Sequence, residues 1–540
     1  MTLLRRTFLG FSGVALVSST VLHGQDAISF ESRFEEIRKD PAFIHSLFGV
    51  AIYSLDRKQL IYSWNGETLM DGASTTKVVA VGAGMALLGP DYRFRTPVYR
   101  TGPIRSGVLQ GDLILVGRGD ANLSSRVRDR DSLIHVDEDH SYGGYDAVPL
   151  PGNPVQPLVD LARQVAAAGI KRIEGRVIVD ASLFPEGTRE VGSGATISPI
   201  TVNDNMIDLV VHPGQPGAPA QITASLRVPY IGFDNQIRTS ATGSPLMIRL
   251  SEKRAPDGNI RVTLSGQIPA GAKPYLQPYF VASPSRFATA LFTQELSRAG
   301  IALQMPASAD DTGAGAELKR FYTPENRVAE FVSPPFSEDA KVILKVSHNL
   351  HATLIPFITG SLVAGKPELA ETRGPEARGF TLARKFIASR GLDLSGAVHS
   401  HGNGSSLFSP KFLATYLAAM TEMPFFAKFR DGLPVFGKDG TLGDALPNSP
   451  ATGRIVAKTG TSAEPDLLND GYMLKAKGLA GYTTTPSGER VAFAVLLNRV
   501  PIDARVGDGV AMREKVRTIG GNTVARIAEA INLYPIRSPR

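Results

Sequence analysis

Ser74-Thr75-Thr76-Lys77, Ser347-His348-Asn349 and Lys458-Thr459-Gly460 are three short motifs whose chemistry suits one active site, yet Ser74 and Ser347 stand 273 positions apart. One compact unit does not need so long an excursion between neighbouring catalytic side chains, so a domain must be inserted there. A chain of 540 residues has room for several domain-sized units. The motif spacing predicts a catalytic domain built from residues 25–95 and 281–540, interrupted by an inserted domain over 96–280.

Local patterns fill in that frame. Tyr99 to Val116, Arg176 to Asp180 and Asp204 to His212 read as strands, and Val155 to Ala168 as an amphipathic helix. From about 210 to 272 Pro, Gly and Ser punctuate short alternating segments, which predicts a small β-rich module nested in the insertion. Ser283-Pro284 starts a helix reaching Arg298 with Gly300 beyond its end, and further helices are expected at Glu376 to Ser389 and Lys411 to Met420. The fold class is α/β (α+β), a sheet covered by helices.

Each motif alone is a weak signal. Ser74 is the one serine followed three residues later by lysine, whereas S-x-N occurs at both Ser63/Asn65 and Ser347/Asn349. Ser63 lies on an apolar strand running into Asn65-Gly66, a turn dipeptide, so Ser347 is the candidate. Lys458-Thr459-Gly460 follows the strand-like run Arg454 to Ala457 and precedes Thr461 and Ser462. Together and in this order the three are the set of penicillin-recognising serine enzymes, which attack an amide with an activated serine.

The stretch from Thr75 to Leu88 has the length and apolar content of a buried helix, placing Lys77 one turn from Ser74 on the same face. A lysine titrates near 10.4 when unperturbed, so a neutral amine at pH 7 corresponds to about 4 to 5 kcal/mol of environmental work. Burial, a helix N-terminus and a second cation such as Lys458 all act in that direction. Neutral Lys77 could then take the Ser74 hydroxyl proton during attack, and Ser347 could pass one to the leaving amine. The backbone N–H groups of Ser74 and Thr461 would hold the oxyanion, and Lys458, Thr459 and Thr461 would face a substrate carboxylate.

With these residues in hand, the chain resembles the D-alanyl-D-alanine carboxypeptidase/endopeptidase family, the class C low-molecular-mass penicillin-binding proteins. The strand pair Val50 to Asp56 and Leu60 to Asn65, the segment Ser333-Pro334-Pro335-Phe336-Ser337 running into Lys345 to Ala352, and Gly478 to Tyr482 with Val491 to Asn498 are all similar to that family. The resemblance implies a β-lactamase/transpeptidase-like catalytic domain with an antiparallel sheet, and catalytic roles for Ser74, Lys77, Ser347, Asn349 and Lys458. It implies substrate binding by Thr459, Gly460 and Thr461, peptidoglycan stem peptides as substrate, β-lactams as covalent inhibitors, and no cofactor. Two departures stand out: Gly72 where such enzymes carry proline, and His401-Gly402-Asn403-Gly404 where they carry Asp-Gly-x-Gly.

Arg5-Arg6-Thr7-Phe8-Leu9 followed by the modestly apolar Gly10 to Leu22 reads as a twin-arginine export signal over residues 1–24, too short to span a bilayer. This predicts an exported protein, periplasmic or associated with the cell wall. The absence of cysteine removes disulfides, thiol catalysis and Cys-ligated metals. The formal charge of +7 suits an anionic wall polymer, with interspersed signs and no nucleic-acid motif. His135 to His140, and His399 with His401, lack a full ligand set at a metal spacing and read as solvated loops, so no metal is expected. The alternatives are a β-lactamase, against which the long insertion argues, and an inactive wall-binding protein.

Overall fold

The computed structural model describes residues 28–304, 316–363, 374–400 and 406–537; the stretch expected to be an export signal and the His401 to Gly404 stretch lie outside them. Its centre is a five-stranded antiparallel sheet in the order Gln59–Trp64, Leu47–Ser54, Arg490–Ile502, Gly471–Thr484, Val456–Asp466. The strand Arg490–Ile502 explains the arrangement. Ala492, Ala494 and Leu496 join one apolar cluster, and Val491, Phe493, Val495 and Leu497 join another. A run apolar at every position from Val491 to Leu497, with side chains alternating between faces, can be buried only if both faces are covered.

Helices provide that cover. Pro410–Met420 and Lys77–Leu88 bury Phe412, Leu413, Tyr416, Val78, Val79 and Val81 with the first cluster. Phe30–Arg38 and Asn522–Leu533 contribute Phe30, Phe34, Ile527 and Ile531 to the second. Among the described residues no helix is long and apolar enough to cross a membrane.

Between the first and second motifs the chain builds a separate apolar body. Arg95–Arg100, Leu113–Val116 and Val177–Asp180 form a sheet, and the helix Gln156–Ala167 buries Leu158, Leu161 and Val165 in its core. Residues 206–280 add two three-stranded sheets, one of Gln221–Ala224, Met206–His212 and Tyr275–Phe280, the other of Ile231–Ser240, Ile260–Pro269 and Met247–Arg254. The strand expected from Asp204 begins at Met206, because Asn203, Asp204 and Asn205 form a left-handed turn.

The return of the catalytic domain at Val281 is corrected by packing. The helix Pro284–Arg298, starting as expected at Ser283-Pro284, buries Phe287, Leu291, Phe292 and Leu296 in the core of the inserted body. The strand Arg327–Val332 pairs antiparallel with Arg95–Arg100 in the same body. The chain rejoins the catalytic unit at Phe336–Lys345, whose Phe336, Ala340 and Ile343 pack with the Lys77–Leu88 helix. A helix signal reports amphipathicity without saying which core receives the apolar face.

Candidate active site

Ser74 sits in a short 3-10 turn, Ala73–Thr76, that runs directly into the helix Lys77–Leu88. Thr75 secures the turn through its Oγ1, which donates to Gly72 O at 2.6 Å, and the Asp71 carboxylate accepts from Ala73 N at 2.8 Å. Ala73 takes φ +43, a left-handed conformation that the flanking hydrogen bonds hold in place. Ser74 is thus presented at a tight, tied-down bend.

Lys77 is wholly buried, and its Nζ lies 3.0 Å from Ser74 Oγ, 3.1 Å from Ser347 Oγ and 2.5 Å from Asn349 Oδ1. It also donates to the Ser347 carbonyl. Burial pushes Lys77 down to about 7, against the Glu190 carboxylate, which favours the ammonium. The expected role of Lys458 as the cation that depresses Lys77 gives way to burial, which is the first cause at Lys77. Lys458 is itself held well below the usual lysine range, by burial first and then by Lys77 and Lys477. Lost hydration disfavours the charged form of a fully desolvated amine.

The second motif arrives at the N-terminus of the helix Asn349–Leu362. Ser347 adopts φ +67, and His348 caps the helix by accepting from His351 N. The third motif lies on the edge strand Val456–Asp466. Gly460 must be glycine, since a Cβ there would lie 2.4 Å from Gly72 O and 3.0 Å from Ser74 N. That close approach brings the Lys458-Thr459-Gly460-Thr461 strand against the Ser74 turn. Thr459 Oγ1 donates to Thr441 Oγ1 at 2.6 Å, and Lys458 Nζ to Thr459 O at 2.8 Å. All eight residues singled out from sequence therefore line one region.

The inserted body adds residues that the motifs could not reveal. Tyr142 Oη donates to the Ser347 carbonyl at 2.5 Å and lies 3.4 Å from Asn349 Oδ1. Glu190 accepts from Gly192 N and Ser193 Oγ, each at 2.6 Å, and a Cβ on Gly192 would lie 2.2 Å from Asn349 Nδ2. From the catalytic sheet, Lys477 Nζ donates to Thr461 Oγ1 at 2.8 Å, and burial pushes Lys477 down to about 8. Only register exposes Lys477: it is the cross-strand partner of Thr461.

Tyr142, Gly192 and Ser193 also border a cleft of about 420 Å³ whose other wall is Leu250 and Gln277 to Phe280. A larger cleft, about 830 Å³, opens at the far end of the sheet around Arg454, Tyr482 and Arg490 and shares no residue with the motifs. The histidine reading needs correction. Asp139 and His140, expected in a solvated loop, are fully buried, because His140 meets Asp204 and Asp208 from distant sequence. Asp139, His140 and Asp204, and Asp204, His348 and His351, cluster at metal-ligand spacing. His399 packs edge-on against Phe380 and Phe408.

Similarity to known proteins agrees with this geometry. The profile of the D-Ala-D-Ala carboxypeptidase 3 (S13) family matches residues 31–514. A D-alanyl-D-alanine carboxypeptidase of an Actinomadura species is 26% identical over 538 residues, spanning 95% of this chain and 88% of that one. The D-alanyl-D-alanine carboxypeptidase DacB of Haemophilus influenzae is 24% identical over 467 residues, 83% and 85% of the two chains. The crystal structure of penicillin-binding protein 4 (dacB) from H. influenzae superposes with a TM-score of 0.66 at 19% identity, covering 93% of this chain and 99% of the other. The same protein complexed with a β-lactam gives 0.65.

Proposed function

This chain belongs to the D-Ala-D-Ala carboxypeptidase 3 (S13) family of serine peptidases, and from that premise we propose that Ser74 is acylated by the D-alanyl-D-alanine end of a peptidoglycan stem peptide, outside the cytoplasm. The observation that carries this reading is the buried Lys77 amine, 3.0 Å from Ser74 Oγ and pushed down to about 7. A neutral amine has two N–H groups and one lone pair. Its hydrogens satisfy the Ser347 carbonyl and Asn349 Oδ1, which leaves the lone pair for the Ser74 hydroxyl proton.

Ser74 Oγ attacks the carbonyl carbon of the penultimate D-alanine while its proton passes to Lys77 Nζ. The C–N bond breaks as that proton moves, through Ser347 Oγ at 3.1 Å from Nζ, to the departing D-alanine nitrogen. Water then hydrolyses the ester, with Lys77 again taking a proton, and Ser74 is regenerated. The close packing of the Gly460 strand on the Ser74 turn supports an oxyanion site made by the N–H groups of Ser74 and Thr461. Lys458, Thr459 and Thr461 bind the terminal carboxylate, whose charge draws a proton onto the depressed Lys458. A β-lactam presents its amide and carboxylate to the same groups and leaves a penicilloyl ester.

A D-alanyl cross-link fits the same attack when the leaving amine belongs to a second stem peptide. The test is release of D-alanine from a stem pentapeptide by purified protein and by Ser74→Ala. Stoichiometric release by the wild type alone is expected. Rapid turnover of penicillin without D-alanine release would replace this reading with a β-lactamase, and binding of wall fragments without either reaction with an inactive wall-binding protein.

A further inference from the structure

Behind the second motif lies a buried ionic cluster that the chemistry above does not use. Asp204, fully buried, is its hub. Its Oδ2 accepts from Arg126 Nη2 and His140 Nε2, each at 2.7 Å, and lies 3.3 Å from His348 Nε2; its Oδ1 accepts from His351 Nε2 at 2.8 Å. Further out, His140 Nδ1 meets Asp208 at 2.7 Å, His351 Nδ1 meets Asp339 at 2.8 Å, and Arg126 Nη2 meets Asp139 at 2.7 Å. Arg126, Asp139, His140, Asp204 and Asp208 come from the inserted body; Asp339, His348 and His351 come from the catalytic unit. The hub therefore ties the two parts together at the residue following Ser347.

The protons can be placed. Burial pulls His140 and His351 down, but each ring lies between two carboxylates, which hold them up to about 10 and about 9. His348 is pushed down to about 4, by burial and then by His351, whose ring centre is 3.9 Å away. Its Nδ1 accepts from His351 N, so its single proton is on Nε2 and points at Asp204. A divalent ion would have to displace protons already shared with carboxylates, beside the Arg126 guanidinium whose Nη2 lies 2.7 Å from Asp204 Oδ2. Protons, not a metal, fit this set.

Backbone strain indicates what the cluster is for. Asn203, Asp204 and Asn205 take φ +46, +54 and +55, and Ser347 takes +67. Non-glycine residues in that region are strained, and persist where surrounding contacts over-determine them. Asn203 Nδ2 to Met206 O and Asn205 Nδ2 to Thr196 O, each 3.0 Å, hold the turn that aims Asp204. Tyr142, two residues after His140, grips the Ser347 carbonyl from the other side.

We propose that Asp204 is a positioning residue for the hydrolytic reaction: by holding His348 and His351 it fixes the strained backbone at Ser347 and so sets Ser347 and Asn349 at their distances from the Lys77 amine. The inserted body is in this account part of the catalytic apparatus. The inference rests on the reading of Ser74 and Lys77 as nucleophile and base.

The test compares full-length wild type, Asp204→Asn and His348→Asn. The first keeps the shape and one acceptor but removes the charge; the second keeps a helix-capping side chain but loses the reach to Asp204. Titration with a fluorescent penicillin counts competent sites, and the acylation rate per titrated site is read with kcat, KM and melting temperature. Expected is acylation of both variants at rates lowered roughly tenfold or more, with KM within about twofold, as for a misplaced group rather than a lost contact. Per-site rates equal to wild type, whatever happens to melting, would overturn the proposal, as would one equivalent of a divalent metal in the purified protein. If Asp204→Asn does not fold, His348→Asn decides alone. A wild type that takes up no penicillin would refute the catalytic reading, not the positioning of Ser347.

Discussion

Lys77→Met converts the proposed base into an apolar side chain of similar length, and its effect on stability should depend on pH in a way that a structural lysine would not produce. Unfolded Lys77 keeps its proton up to about 10.4, whereas the buried folded-state group is pushed down to about 7. Between those values unfolding takes up a proton, so raising the pH disfavours unfolding. The wild type should gain about 1.4 kcal/mol per pH unit from this group, close to 3 kcal/mol from pH 7.5 to 9.5, and lose that gain again as pH falls toward 7. The methionine variant lacks this increment. Lys458 and Lys477 have the same sign, and subtracting the variant's curve from the wild type's removes most of their contribution. Chemical denaturation across pH 6 to 10 gives the two curves, and penicillin acylation in the same buffers should fall by roughly 10²- to 10⁴-fold in the variant. Parallel stability curves would mean that folded Lys77 is protonated throughout, and the base assignment would be refuted.

Three further outcomes follow from the geometry. Tyr142→Phe removes the hydroxyl that donates to the Ser347 carbonyl; the loss of a hydrogen bond worth about 1 kcal/mol should slow acylation roughly fivefold, measured by stopped-flow with a chromogenic β-lactam. Lys458→Met should raise KM for a peptide ending in a free carboxylate by at least about tenfold, while an amidated peptide, already a poor substrate, should show little further loss. Gly460→Ala places a methyl 2.4 Å from Gly72 O, so the edge strand must move; a destabilisation of about 1 to 3 kcal/mol in calorimetry and loss of acylation are expected.

Sequence patterns carry local information, and their reach here follows that boundary. The strand Arg490–Ile502 is legible because an unbroken apolar run must be covered on both faces, and the Ser74 helix because its length and composition leave little choice. The three motifs are legible because each packs its chemistry into three or four consecutive positions. Where the catalytic chain resumes after the insertion was not legible, since the face of Pro284–Arg298 does not name the core that buries it. Tyr142 and Glu190 were invisible for a related reason: their meaning comes from contact with Ser347 and with the surroundings of Lys77, across long sequence separations. His140 reads as solvated from sequence because its partners, Asp204 and Asp208, lie 64 and 68 positions away. A register signal could have found Lys477, had the pairing with Thr461 been known.

The most direct test of the central claim is to locate the acyl group. The purified protein is treated with penicillin, digested, and the modified peptide sequenced by mass spectrometry. One penicilloyl adduct on Ser74, absent from Ser74→Ala, is the predicted result; an adduct on Ser347 or elsewhere, or one that survives in Ser74→Ala, would contradict the account.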